Sequence, residues 1–303
     1  MNLLNAFRPE YLHNPKQILR RLRRPAHVPD HLVEYVELPW GMPLKVRPSE
    51  TIGANIVYFG LIDLPVAEAL VRLCDPGEHA CDIGANIGQM TSLLRICVGP
   101  FGHVDSFEPH PEIFQELTAN ELLWRKCGKL GTGTLHNIAL SNKDGNAVLV
   151  ASSAWNNNRG ISRLSNNPVE FTKNWNVNTA QIDTHFSDVN WKVCKLDVEG
   201  HELDVLKGAE SVLQKGNLRD LIFEDLNPFP SPVHQFLISC GYSLFHLGRG
   251  LRGPKIKPLH SRASQNLNPK EQDYLATLDP ERALRKYEPR GYKSLRKLVT
   301  CNR

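Results

Sequence analysis

Two periods of apolar spacing alternate along this chain. Short runs rich in β-branched and aromatic residues predict strands at about 79–83, 103–107, 133–138, 191–197, 220–224 and 242–247. Between them, apolar residues recur three and four positions apart and predict helices. These cover 63–73, 88–98, a stretch beginning at Pro111, then 200–216 and 231–240. Pro65 suits a first helical turn, with Val66, Ala69, Leu70 and Leu73 on one face. The helix from Pro111 sets Ile113, Leu117 and Trp124 on one side; the one after Gly200 aligns Leu203, Leu206, Ala209 and Leu213. Strands and helices in turn imply an α/β fold, a mostly parallel twisted sheet with helices on both faces.

The pattern weakens elsewhere. Residues 31–48 predict one or two short strands ahead of the core, and residues 1–30 a loose basic arm with a short helix near 15–23. Ala139-Leu140-Ser141 closes the third strand, and Asn142-Lys143-Asp144-Gly145 predicts a hairpin returning through Val148 to Ala151. Residues 152–178 are polar, rich in asparagine and hold Trp155 and Trp175, the composition of a substrate loop or a surface insertion. A further strand is expected over 177–182. Residues 248–303 read as a basic appendage with one helix near 280–287, leaving 31–247 as the central domain.

Composition changes this picture little: 41% hydrophobic and 22% charged residues are ordinary for a globular chain. Charge changes it more. The net charge is +4, but residues 1–30 contribute +4 and residues 248–303 contribute +9, so the body carries −9. Basic arms on an acidic body can meet anionic surfaces or stay solvated. No apolar run is long enough for a transmembrane helix, and residues 1–7 are not expected to form an export signal. The seven cysteines show no Cys-x-x-Cys spacing, so the expectation is buried thiols in a reducing cytoplasm, without a disulfide framework.

Candidate chemistry begins at Cys81-Asp82-Ile83-Gly84-Ala85-Asn86-Ile87-Gly88-Gln89, a strand ending in an acid followed by a glycine-rich turn into a helix. Such turns let backbone approach a nucleoside cofactor. Asp82 inside the pocket would repel a pyrophosphate and favour the cationic end of S-adenosylmethionine. Glu108, in Phe107-Glu108-Pro109, lies 26 residues further on, where the next strand end supplies a ribose-binding acid. Asp197, Glu199 and His201 stand at the fourth strand end, with Glu224, Asp225 and Asn227 at the fifth. A carboxylate or histidine there can serve as general base for a hydroxyl acceptor. Glu199 could instead cap the following helix, and His201 could be structural. Asp197, Glu224 and Asn227 are oxygen ligands of the kind magnesium uses, but their spacing matches no metal motif and no metal is expected.

These segments, together with Lys195-Leu196-Asp197-Val198-Glu199-Gly200-His201-Glu202-Leu203, resemble the FkbM family of S-adenosylmethionine-dependent methyltransferases from about residue 55 to 245. The resemblance implies a class I (Rossmann-like) methyltransferase fold and O-methylation of sugar or polyketide-type hydroxyls. It places Asp82, Gly84, Asn86 and Gly88 in the cofactor loop, Glu108 at the ribose, the segment around Ala139 beside the adenine, and Asp197 and Glu199 near the reaction centre. Ala85, Gln89 and Pro109, within the same segments, are also expected at the cofactor. The Asn-rich stretch and the basic tail depart from the family pattern. Competing readings are a scaffold with a relict cofactor site, a nucleic-acid methyltransferase using the basic arms, and a dehydrogenase. The last would want glycine where Asn86 stands.

Overall fold

The computed structural model describes Arg20, Leu22, Arg23, Pro25, Arg159 and residues 27–151, 162–165, 173–259 and 272–301. The expected helix near 15–23 and Trp155 lie outside the described residues, apart from Arg20, Leu22 and Arg23.

Strands β1 (Glu34–Glu37) and β2 (Pro43–Val46) form an antiparallel pair, followed by helices α1 (Thr51–Phe59) and α2 (Leu64–Leu73). Then the alternation sets in: β3 (His79–Ile83), α3 (Gln89–Val98), β4 (His103–Phe107), α4 (Pro111–Trp124) and β5 (Thr132–His136). Next come β6 (Ala139–Leu140), β7 (Gly145–Ala151), β8 (Arg163–Ser165), β9 (Lys173–Ala180) and α5 (Ile182–His185). The second half runs β10 (Trp191–Leu196), α6 (Glu202–Lys207), α7 (Glu210–Gln214), β11 (Asp220–Glu224), α8 (Pro232–Ser239) and β12 (Ser243–Gly248). It closes with β13 (Lys255–Pro258), β14 (Asp273–Thr277) and α9 (Pro280–Tyr287).

The main sheet has the order β13-β12-β14-β11-β10-β3-β4-β5. Neighbours from β5 to β11 are parallel; β14 is antiparallel to both β11 and β12. This is the α/β architecture expected of a class I methyltransferase fold. Alternation along each strand divides the core in two. On β11, Ile222 joins the cluster containing Leu70, Leu93 and Trp124, while Leu221 and Phe223 join Leu206, Leu213 and Leu237 on the other face. Nearly continuous apolar runs follow from burial on both sides.

Five expectations change, the last being the helix over 200–216. First, residues 248–303 are not a mere appendage: β14 is inserted between β11 and β12, and α9 packs on α2. Second, β6 and β7 do not form a hairpin, because β9 lies between them in a sheet of order β6-β9-β7-β8. Third, 173–178 is strand and not loop. Fourth, Cys127 and Cys301 form a disulfide, where no disulfide framework was expected and most cysteines read as buried thiols of a reducing compartment. The helix expected over 200–216 also breaks between α6 and α7, where Gly208 lies so close to Ser141 that a Cβ would sit 2.0 Å from the Ser141 carbonyl oxygen. No described helix is long and apolar enough to cross a membrane.

Candidate active site

The carboxyl ends of β3, β4, β10 and β11 open onto one cavity of about 300 Å³, in the place and size range of ligand sites in open α/β sheets. β14 runs the opposite way, so its first residue, Asp273, reaches the same end beside Glu224. Ile83, Ile87, Phe107, Ile138, Leu140 and Leu149 give the cavity apolar walls.

The turn after β3 is held from two sides. The Gly84 and Ala85 N–H groups both donate to the Phe107 carbonyl at 2.9 Å. Gly84 has φ +77°, and a Cβ there would lie 1.8 Å from the Asp197 carbonyl oxygen. Only glycine tolerates both conditions. Asn86 is left-handed as well, at φ 50°, and its side-chain oxygen accepts from the Ile87 N–H at 2.8 Å. Asparagine adopts this conformation more readily than most residues.

Glu108 joins two loops. One carboxylate oxygen accepts from the Asn86 N–H at 2.9 Å and the other from the His110 N–H at 2.8 Å. Burial outweighs these bonds and pushes its carboxyl up to about 7. Gln89 ties the start of α3 to the segment before α2, accepting from Ile62 N–H and donating to Ile62 carbonyl, each at 2.9 Å.

The expected residues divide clearly. Gly84, Ala85, Asn86, Gln89, Glu108, Pro109, Ala139, Asp197, Glu199, His201 and Glu224 line the cavity. Asp82 does not, which corrects its expected place inside the pocket. Strand alternation turns its side chain toward α3, where its carboxylate accepts from the Thr91 hydroxyl at 2.6 Å, wholly buried. Gly88 is also outside the lining; its space is taken by Leu117 and Trp124, each 2.7 Å from where a Cβ would be. Asp225 and Asn227 turn away, because Asp225 accepts from the Ser231 hydroxyl and from both Asn227 nitrogens.

Acids gather at the far side of the cavity: Asp63, Asp197, Glu199, Glu224 and Asp273. Glu224 is half-buried, and burial, then the charges of Asp197 and Asp63, raise its carboxyl to about 7. Glu199 stands at the mouth, more exposed and left-handed at φ 55°; enclosure by its surroundings, then Asp197 and Glu202, raise it to about 7. It does not cap α6. Glu202 takes the nearby N–H groups of Val198 and Gly200 instead. His201 pairs through Nε2 with the Ser141 hydroxyl at 2.9 Å, and burial lowers its pKa. Among the described residues no group of three or more His, Cys, Asp and Glu is arranged to hold a metal ion.

Sequence reasoning missed Asp63, His110, Arg159, Lys195 and Asp273 in the cavity wall. Lys195 opens the Lys195–Leu203 segment, where its place before two acids on a buried strand was the available signal. Asp273 carried none, since it belongs to a strand not recognised.

A family profile described as "Methyltransferase FkbM domain" matches residues 82–244, from the end of β3 into β12. The chain belongs to the FkbM methyltransferase family. Methyl transfer is the chemistry of that domain, and S-adenosylmethionine is its methyl donor. Among curated proteins, a protein-L-isoaspartate O-methyltransferase from Triticum aestivum is 26% identical over 104 residues, 34% of this FkbM chain and 41% of the wheat protein. Among solved structures, a methyltransferase FkbM from Methylobacillus flagellatus is 13% identical with a TM-score of 0.41, covering 74% of this chain and 60% of that one. An Aeropyrum pernix fibrillarin with bound S-adenosyl-L-methionine is 14% identical, with a TM-score of 0.35 and coverage of 80% and 92%.

Proposed function

We propose that this FkbM protein is an O-methyltransferase acting on a hydroxyl of a sugar, glycan or secondary metabolite. The observation that carries the reading is the half-buried Glu224 with its carboxyl near neutrality at the cavity wall, flanked by Asp197 and Glu199. A hydroxyl is a poor nucleophile until a group of suitable pKa accepts its proton. The wheat relative is named an O-methyltransferase of protein L-isoaspartate, an oxygen acceptor but not a sugar hydroxyl, so the hydroxyl assignment rests on the carboxyls of the cavity alone.

The cavity's groups fit the donor. Apolar walls from Phe107, Ile138 and Leu140 suit an adenine, with Ala139 between the last two. Glu108 has each carboxylate oxygen occupied by a single N–H, which leaves acceptor capacity for ribose hydroxyls. The acids suit a cationic methionyl end. When bound, S-adenosylmethionine supplies a methyl group on a positively charged sulfur, open to in-line attack. The turn at Gly84–Asn86 and Glu108 would fix the donor, and Glu224, Glu199 or Asp197 would take the acceptor's proton. Alignment of the two reactants would supply most of the acceleration. His201, already engaged by Ser141, would orient the acceptor and not serve as first base.

The test is methyl transfer from labelled S-adenosylmethionine to a panel of sugars and polyhydroxy compounds by wild type and Glu224→Gln. Transfer to a hydroxyl that falls by about 100-fold or more in the variant supports the reading. Donor binding with no transfer to any hydroxyl would favour the scaffold instead.

A further inference from the structure

Lys195 occupies the centre of the sheet, on β10 beside Asp82 of β3, with 7% of its surface exposed. Its ammonium has three partners. It donates to the Gly84 carbonyl at 2.8 Å, stands 3.2 Å from an Asp197 oxygen and 3.6 Å from an Asp82 oxygen. Gly84 opens the donor turn; Asp197 is a candidate reacting acid. The two segments are also in backbone contact, for the Asp197 N–H donates to the Ile83 carbonyl at 3.1 Å. A lysine has three donors and no acceptor, so one ammonium can bind all three groups at once.

We infer that Lys195 is a positioning residue, an ammonium clasp that sets the donor turn at Gly84 against the carboxylate of Asp197. The inference deepens the proposed function and rests on S-adenosylmethionine as donor. The bland alternative is that Lys195 only neutralises the buried Asp82. That alternative has support, since Asp82 is wholly buried and its second oxygen has no hydrogen-bond partner. Yet neutralisation does not require the 2.8 Å bond to Gly84, and the ammonium lies nearer Asp197 than Asp82. Burial disfavours the charged amine, but Asp197 and Asp82 more than offset it and raise the pKa of Lys195, so the clasp stays charged. Other charges also face it: Asp63 from the start of α2, and Glu108 and Glu199 from the adjoining loops.

The two roles separate in the double variant Asp82→Asn with Lys195→Met, which removes the buried acid and the cation together. Thermal melting and calorimetric titration with S-adenosylmethionine and S-adenosylhomocysteine are compared with wild type. The clasp predicts a melting temperature near that of wild type and donor affinity weaker by about tenfold or more, the scale of a lost hydrogen bond to a charged group. It also predicts faster backbone hydrogen exchange over residues 84–89. Wild-type affinity in the double variant would overturn the inference and leave Lys195 as a counter-ion for Asp82. Unfolding of the double variant would overturn it too, by making Lys195 a requirement of the fold. Absence of binding to the wild type would instead remove the proposed function, a separate failure.

Discussion

Glu224 and Asp273 sit opposite each other across an antiparallel pair, an arrangement in which like charges repel. Burial and neighbouring charge hold Glu224 near 7 against an ordinary value of 4.5. A carboxyl whose folded pKa exceeds its unfolded one favours the folded state only while protonated. That contribution is complete below about pH 4.5 and is lost as pH rises through 7. Glu224→Gln is therefore expected to stabilise the protein at pH 8, by on the order of 1 kcal/mol, and to change little at pH 4. Thermal melts of both proteins at the two pH values check this; equal melting at pH 8 would contradict it. The same groups predict that a cation entering the cavity near pH 7 expels protons. Heats of S-adenosylmethionine binding should then differ between buffers of different ionisation enthalpy.

At the scale of elements, the turn between β3 and α3 depends on the segment after β10. Gly84→Ala would need both a left-handed alanine, costing about 1–2 kcal/mol, and displacement of the Asp197 carbonyl. Its expected outcome is loss of donor binding, read by calorimetry, with a clearly lowered melting temperature. Much of this framework was legible in the sequence. The strands ending at Ile83, Phe107, Leu196 and Glu224 are runs buried on both faces, and the acids after them mark the sheet's carboxyl edge. The second sheet was legible only in part. Asn174, Asn176 and Asn178 are exposed while Trp175, Val177 and Thr179 turn inward, a period of two that asparagine content disguised. Asp225 and Asn227 share the polarity of true cavity residues; what turns them away is the cap of α8, a tertiary contact with no linear trace.

For the whole molecule, the stretch after β12 completes the core from a distance. Glu68 and Arg72 of α2 are buried together at 2.6 Å. Glu68 accepts from the Ser294 N–H and hydroxyl, while Arg72 donates to the Lys286, Pro289 and Gly291 carbonyls. Further on, Leu298 and Val299 donate to the Trp40 carbonyl, and Cys301 is bonded to Cys127 across 174 residues of sequence. Net basic charge hid this role: Arg282 and Lys286 pair with Asp75, Arg282 also pairs with Asp220 and Lys297 with Glu37, while Leu275, Ala283, Tyr287, Tyr292 and Leu295, scattered among the charges, enter the core. Cys301→Ser is expected to lower stability by about 2–4 kcal/mol, the usual range for a disulfide closing a long loop. Denaturant unfolding of the variant, beside wild type kept oxidised, measures it; an unchanged midpoint would show that the tail is held without the bond. All these parts converge on a single claim, that the cavity at the strand ends holds S-adenosylmethionine with Glu108 among its ligands. Calorimetric titration of wild type and Glu108→Gln with S-adenosylmethionine tests it most directly. Binding at one site by wild type, weakened about tenfold or more in the variant, is the predicted result; equal affinity in the two proteins, or none in wild type, would contradict it.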